Sequence, residues 1–213
     1  MSPYDARREY EVGELDEHDV DPDPLVQFRS WIASAAADPR IDEPNAMTLA
    51  TATGDGRPSA RIVLLRDVDD RGFVFYTNRA SRKGLELASN PRAALVFHWA
   101  PQERQVRVEG TAELVDDDAS DRYFASRPRR SRLGALASAQ SAVIASRAEL
   151  EARMTELEIA YPEGVPVPRP ASWGGYRVVP DELELWQGRR SRLHDRVRYR
   201  RAGGSWALER LAP

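Results

Sequence analysis

From Pro24 onward, Leu25, Phe28, Trp31, Ile32 and Ala35 recur at helical spacing, which predicts a core-packing helix with Asp23 as its N-cap and Pro39 past its end. Beyond it the apolar period shortens. Residues 47–53 read as a strand and Thr53-Gly54-Asp55-Gly56 as a turn. Residues 62–65 and 73–77 are two β-branched and aromatic runs separated by the turn residues Asp69-Asp70-Arg71-Gly72. That pattern predicts a β-hairpin. Residues 93–99 follow Asn90-Pro91 as a further strand. Over 105–114, Val106 and Val108 alternate with Gln105, Arg107 and Glu109, which leaves one polar face for a ligand. Residues 116–126 predict a helix carrying Tyr123 and Phe124 and ended by Arg127-Pro128. Leu150, Met154, Leu157 and Tyr161 then mark a long amphipathic helix after Gln140-Ser141, with its stripe turned to the core. An extended linker at 165–170 leads into a strand opened by Trp173-Gly174-Gly175-Tyr176, and residues 183–186, 197–201 and 206–211 supply further strands. Many short strands, few helices and no alternating βαβ order predict a mainly β fold, an antiparallel barrel with helices packed outside. Residues 1–23, polar and charged, read as a mobile or docking arm before a single domain over 24–213.

The stretch 61–83 concentrates the candidate chemistry. Arg61 and Arg66 bracket the run at 62–65, and a strand flanked by guanidinium groups either reaches water at both ends or holds anions. Ser81 is the candidate N-cap of a helix whose first turn carries Arg82 and Lys83, where the macrodipole disfavours positive charge. Two readings fit. An anion such as a phosphate shares the helix start with these cations, or both are solvated at a cost of about a few tenths of a kcal/mol. Tyr123, Arg127 and Ser131 fall at spacing four. If helical geometry continues past Arg127, they gather two hydroxyls and a guanidinium on one face, as phosphate-binding groups or as a solvated helix end.

The chain carries 34 acidic and 31 basic residues, a formal charge of −3, so no global field draws it to nucleic acid or anionic lipid. Its basic residues cluster at 127–132 and 189–201, which favours local anion sites. Cysteine is absent, which excludes disulfides, thiolate metal sites and thiol nucleophiles, and no metal site is expected. No run approaches membrane-spanning length, so a cytoplasmic protein with no membrane partner is expected.

Taken together, RIVLLR at 61–66, FYTN at 75–78, SRKG at 81–84, RQVRVEG at 104–110, YFASRP at 123–128, WGGY at 173–176, WQG at 186–188 and RLHDR at 192–196 resemble the pyridoxamine 5′-phosphate oxidase family over nearly the whole chain. The resemblance implies a split β-barrel, antiparallel with Greek-key connections, as a homodimer that binds FMN between subunits. It also implies that Arg61 and Lys83 meet the FMN phosphate, with Arg82 and Ser141 beside them. The remaining cofactor positions carried over are Ile62, Val63 and Leu64 of the first motif, Tyr76 and Thr77 lining the flavin, Gln105 and Gln140 bonding the cofactor, and Trp186 and Arg196 at the ring system. Arg66, Tyr123, Arg127 and Ser131 correspond to the substrate-phosphate grip, Arg7 and Tyr10 to a lid, and Arg192 and His194 to the residues over the pyridine ring. Arg192, His194 and Arg196 are the expected catalytic set, although without the RLHDR context a buried structural histidine is the preferred reading of His194.

The implied reaction oxidises the C4′ amine or alcohol of pyridoxamine or pyridoxine 5′-phosphate to the aldehyde of pyridoxal 5′-phosphate, with hydride passing to the flavin N5 and dioxygen returning as hydrogen peroxide. Arg66 departs from the family pattern, which has lysine there, and the exchange bears on substrate more than cofactor. The alternative is a split-barrel FMN oxidase recruited to another small molecule, as in phenazine biosynthesis.

Overall fold

The computed structural model describes residues 9–213. Asp23 caps α1 (Pro24–Ala36) as expected, its carboxylate accepting from the Leu25 amide at 2.8 Å, and Phe28, Trp31 and Ala35 on one face of the helix are buried. The strands β1 (Ala46–Ala52), β2 (Pro58–Leu64), β3 (Asp67–Val68), β4 (Phe73–Asn78), β5 (Arg92–Trp99), β6 (Arg104–Leu114) and β7 (Trp173–Gln187) run in the spatial order β2-β1-β5-β6-β7-β4-β3. Every pairing is antiparallel. β8 (Asp195–Ala202) and β9 (Ser205–Arg210) extend the sheet from the C-terminal half of β7.

The two ends of that seven-strand path, β2 and β3, are neighbours in the chain. The Leu65 amide still donates to Asn45 O beside β1 at 2.8 Å, and the next amide, Arg66, donates to Val74 O of β4 at 2.8 Å. The backbone therefore changes partner between these two residues and curls the sheet onto itself, which is the split-barrel architecture expected. It also corrects the hairpin. Residues 62–65 do not pair with 73–77; β2 pairs with β1, and the Asp69–Gly72 turn joins only the two-residue β3 to β4. The turn was legible, but local pattern does not say which strand lies on its far side.

Phe28, Phe73, Phe97 and Trp99 meet at the centre of the core, with ring centroids 4.8 Å apart for Phe28–Phe73 and 4.9 Å for Phe28–Phe97. Truncating a ring buried this fully costs roughly 3–5 kcal/mol. The strands foreseen at 173–176 and 183–186 are one strand, β7. Pro180 is accommodated at a bulge, where Gly110 opposes Pro180, Glu109 opposes Glu182, and Asp181 is left over.

The helices α2 (Arg82–Ser89), α3 (Asp117–Ser126), α4 (Arg129–Ala137) and α5 (Arg147–Ala160) pack outside the barrel. α4 was not foreseen. Its start is crowded with arginines and it contains Gly134, so local propensity gives little helix signal. α5 has no fully buried residue. Its stripe packs through Met154 and Leu157 on a satellite cluster around Phe124, Leu133, Val167 and Trp173, not on the barrel core.

The segment read as an arm lies along the barrel from Glu9 on. The amides of Glu11 and Val12 donate to the Glu103 carboxylate at 2.7 and 2.9 Å, Leu15 is buried, and Tyr199 Oη donates to Asp21 O at 2.7 Å. Arg7 falls outside the described residues. Among the described residues, no helix is long and apolar enough to cross a membrane.

Candidate functional site

Two regions hold the expected residues. The first is a cleft of about 380 Å³ formed by β2, β4, α2, α3 and α4. Arg61, Ile62, Val63, Leu64 and Arg66 enter it from β2 and the chain just beyond. Tyr76 and Thr77 enter from β4, Lys83 from α2, Tyr123 and Arg127 from α3 and its end, and Gln140 from the following loop. Arg82 and Ser141 line an adjoining hollow of about 930 Å³, which Gln140 also borders.

At one end of the cleft the Lys83 ammonium, on a residue only 9 % exposed, donates to Gln140 Oε1 at 2.8 Å, Thr77 Oγ1 at 3.2 Å and Ser81 Oγ at 3.3 Å. It has no carboxylate partner among the described residues. Burial, with a contribution from the Arg61 charge, pushes its pKa down. The Ser81 hydroxyl is committed to Asn78 O at 2.6 Å and caps nothing, and Ser141 Oγ instead accepts from the Arg82 amide at 3.1 Å. Arg61 reaches Leu49 O, Thr51 Oγ1, Ser59 Oγ and Glu86 Oε2, the last at 3.2 Å. Sequence reasoning missed Glu86. Its side chain is 4 % exposed, Oε1 accepts from Arg82 Nε at 2.8 Å, and Oε2 accepts from Thr51, Ser59 and Arg61. Burial alone raises a carboxyl pKa, but hydrogen bonds from Ser59, Thr51, Arg82 and Arg61 overcome it and hold Glu86 at about 2. The signal available was its i,i+4 spacing from Arg82.

At the other end, Tyr76, Tyr123 and Trp173 stack. The Tyr76–Tyr123 centroids lie 4.0 Å apart at 17° and the Tyr123–Trp173 rings are inclined by 7°. Gly175 permits this, since a Cβ there would lie 2.8 Å from the Tyr76 ring. Arg66 sits 5.9 Å from the Tyr123 centroid and Arg127 4.9 Å from that of Trp173. Neither has a carboxylate partner among the described residues, and the buried Nη1 of Arg127 has no hydrogen-bond partner. Burial, helped by the Arg66 charge and opposed by Tyr123, lowers the Arg127 pKa.

The spacing argument for Tyr123, Arg127 and Ser131 is corrected. The helix breaks at Arg127, which is extended (φ −70, ψ 148), and restarts at Arg129. Tyr123 and Arg127 still share the cleft, but Ser131 is exposed on the first turn of α4 and does not line it. Trp173 joins the cleft as a residue the sequence reading did not single out for the site.

The second region lies at the far end of β7. Gln105, Trp186 and Arg196 are cross-strand neighbours on β6, β7 and β8, so all three project from one face. Arg196 Nε and Nη2 donate to the two oxygens of Glu184 at 2.8 and 3.0 Å, and Nη1 donates to Ala212 O at 2.8 Å. Trp186, His194 and Tyr10 cluster, with centroids 4.7 Å apart for Trp186–His194 and 5.6 Å for Tyr10–Trp186. A Cβ on Gly188 would lie 2.7 Å from the Tyr10 ring. Ser191 and Arg192 both take left-handed backbone conformations (φ 56 and 61), and Arg192 is exposed. His194 Nδ1 accepts from the Arg189 amide at 3.1 Å, so in the neutral ring Nε2 carries the proton.

The two regions are far apart within one protomer. Tyr76 is opposite Gly175, and Trp186 lies eleven residues further along β7, up to about 36 Å of strand.

Comparison with known proteins finds two family profiles along the chain. The family profile described as pyridoxamine 5′-phosphate oxidase matches residues 33–161, and the one described as the pyridoxine 5′-phosphate oxidase C-terminal dimerisation region matches residues 173–213. The chain is 58% identical over 210 residues to a pyridoxine/pyridoxamine 5′-phosphate oxidase of Cupriavidus necator, covering 98% of each. It is 56% identical over 211 residues to one of Salinibacter ruber, again covering 98% of each. Among solved structures, PhzG from Burkholderia lata, in complex with tetrahydrophenazine-1-carboxylic acid, is similar with a TM-score of 0.90 at 34% identity, over 97% of this chain and 100% of that one.

Proposed function

The chain belongs to the pyridoxamine 5′-phosphate oxidase family of FMN-binding oxidoreductases, and from that premise we propose that it oxidises pyridoxamine 5′-phosphate and pyridoxine 5′-phosphate to pyridoxal 5′-phosphate, with dioxygen as the final acceptor and hydrogen peroxide as the second product. The observation that carries the substrate class is Arg127, whose buried Nη1 has no hydrogen-bond partner among the described residues beside a second guanidinium, Arg66. Two cations without carboxylates fit a dianionic phosphomonoester, because a buried donor left unmade costs about 1–3 kcal/mol and a charge-assisted bond recovers it. The Tyr76–Tyr123–Trp173 stack beside them offers a flat wall for an aromatic ring.

Lys83, Arg61, Arg82 and Ser141 form the phosphate end of the cofactor site in this reading, and Lys83 fits that role as a buried ammonium with no carboxylate partner among the described residues. FMN, when bound, supplies the hydride acceptor. The protein's part is to bind, orient and shield. His194, proton on Nε2, donates to the 3-oxygen of the pyridine ring, and Arg192 orients C4′. Gln105, Trp186 and Arg196 face the cofactor ring as one row, and Tyr10 closes over His194 as part of the lid. In this reading the cleft of one protomer and the Trp186–His194 cluster of its partner make one site, which the separation along β7 and the match to a dimerisation region over residues 173–213 support.

A second reading, oxidation of a reduced phenazine carboxylate, is favoured by the likeness to PhzG. The two separate in one experiment, in which the yellow holoprotein is given pyridoxamine 5′-phosphate, unphosphorylated pyridoxine or tetrahydrophenazine-1-carboxylic acid in air, with aldehyde and peroxide followed. The proposal expects both products from the phosphorylated amine and very little from pyridoxine. Turnover of the phenazine alone would overturn it.

A further inference from the structure

Glu86 stands out among the charged groups that the proposed reaction does not use, because it is a buried carboxylate placed among the cations of the cofactor-phosphate end. We infer that Glu86 is a positioning residue, fixing the Arg61 and Arg82 guanidinium groups in the orientation that receives the phosphate of FMN. This rests on the cofactor reading given above.

The argument is one of donors and acceptors. A carboxylate only accepts, so the Thr51 and Ser59 hydroxyls must both donate to Glu86 Oε2, and each thereby turns a lone pair toward Arg61. Arg61 is held on both nitrogens, by Leu49 O and Thr51 through Nη1 and by Ser59 and Glu86 through Nη2. The other oxygen, Oε1, takes Arg82 Nε one helical turn away. One side chain thus ties β1, β2 and α2 together through the groups that carry the positive charge. Charge points the same way. Arg61, Arg82 and Lys83 with Glu86 leave a net charge of +2, the complement of a phosphomonoester dianion.

Glutamine at this position cannot reproduce the arrangement. With its oxygen toward Thr51 and Ser59, its amide N–H groups face Arg82 Nε–H. Turned over, they face the two hydroxyls and Arg61. Either way one guanidinium is released, although the variant carries one negative charge fewer and should attract an anion more strongly at long range.

The test is titration of the full chain, stripped of flavin, with FMN and separately with riboflavin, by flavin fluorescence. Glu86→Gln should raise the Kd for FMN about tenfold or more and leave that for riboflavin within about twofold, and Thr51→Val should shift the same ratio in the same direction by less. Tighter FMN binding in Glu86→Gln would mean that the carboxylate merely opposes the phosphate, and equal losses for both flavins would mean a general structural role; either overturns the inference. Should Glu86→Gln fail to fold, an unchanged FMN-to-riboflavin ratio in Thr51→Val overturns it alone. A parent chain that binds no FMN removes the cofactor reading and this inference with it, whereas unaltered FMN affinity in both variants removes only the inference.

Discussion

Arg66, Lys83 and Arg127 in the cleft have no carboxylate partner among the described residues, whereas Arg189, Arg190, Arg196, Arg198 and Arg210 around the far end of β7 each hold one. The difference separates two uses of the same residue types. Glu184 bridges Arg107 and Arg196, and Glu209 bridges Arg198 and Arg200, so charge there is cancelled in place and its effect is to hold β6 to β9 in register under Trp186. In the cleft Arg61 is paired with Glu86, but Arg66, Lys83 and Arg127 are left uncompensated among the described residues. Burial lowers the pKa of both Lys83 and Arg127, and a nearby guanidinium adds to it in each case. A fold keeps such a group at a cost in stability, and an arriving anion removes that cost. One region is prepared for ligand charge and the other for ligand position.

The largest expected effect comes from reversing charge in the first region. Lys83→Glu should weaken FMN binding by about 3 kcal/mol or more, upward of a hundredfold, measured by flavin fluorescence; unchanged affinity would remove Lys83 from the phosphate site. Arg127→Ala should come next, lowering kcat/KM for pyridoxamine 5′-phosphate by about 2–3 kcal/mol, mostly through KM, while FMN stays bound. A fall in kcat with KM unchanged would mean that Arg127 does not act in binding the phosphate.

Smaller changes sharpen the contrast. Arg66→Lys keeps the charge but replaces a planar fork by a point charge, and activity should stay within about tenfold of the parent, or 1.4 kcal/mol. Activity toward pyridoxamine 5′-phosphate that appears only in Arg66→Lys would favour the recruited-oxidase reading. The lowered pKa of Lys83 carries a pH signature. Between its folded and unfolded values the unfolded chain binds more protons, so the flavin-free parent should gain stability relative to Lys83→Met as pH rises toward the ordinary lysine value. A flat difference across alkaline pH would show that burial of the ammonium costs little.

Much of the cleft was legible because its residues lie in short, mutually ordered motifs. RIVLLR, FYTN and SRKG bring Arg61, Tyr76 and Lys83 to one place, although the strands carrying the first two, β2 and β4, are separated by four others along the sheet path. The closure that unites them was not legible. It depends on a change of hydrogen-bond partner between Leu65 and Arg66, which no local period encodes. The sequence reading likewise gave two strands where β7 is one, and the bulge that admits Pro180 inside it is formed against Gly110 on another strand. Glu86 was missed because its importance lies in what surrounds it, Thr51 and Ser59 from β1 and β2, and not in its own neighbours in sequence. The resemblance assigned Ser131 to the substrate-phosphate grip, and the spacing argument for it held only if the helix continued past Arg127, which the Arg127–Pro128 break ends.

The central claim is that the two regions act as halves of one site contributed by different protomers, and mixed dimers test it most directly. Arg127→Ala impairs the cleft and His194→Ala impairs the cluster, each leaving its homodimer poorly active with FMN still bound. When the two are co-expressed with separate tags, the mixed dimer has one site built from two unaltered halves and one with both lesions. A random mixture, half of it mixed dimer, should then recover about a quarter of the parent activity, and the purified mixed dimer about half. Activity no higher than that of the two variant homodimers would mean that cleft and cluster serve the same protomer's site, and would contradict the account.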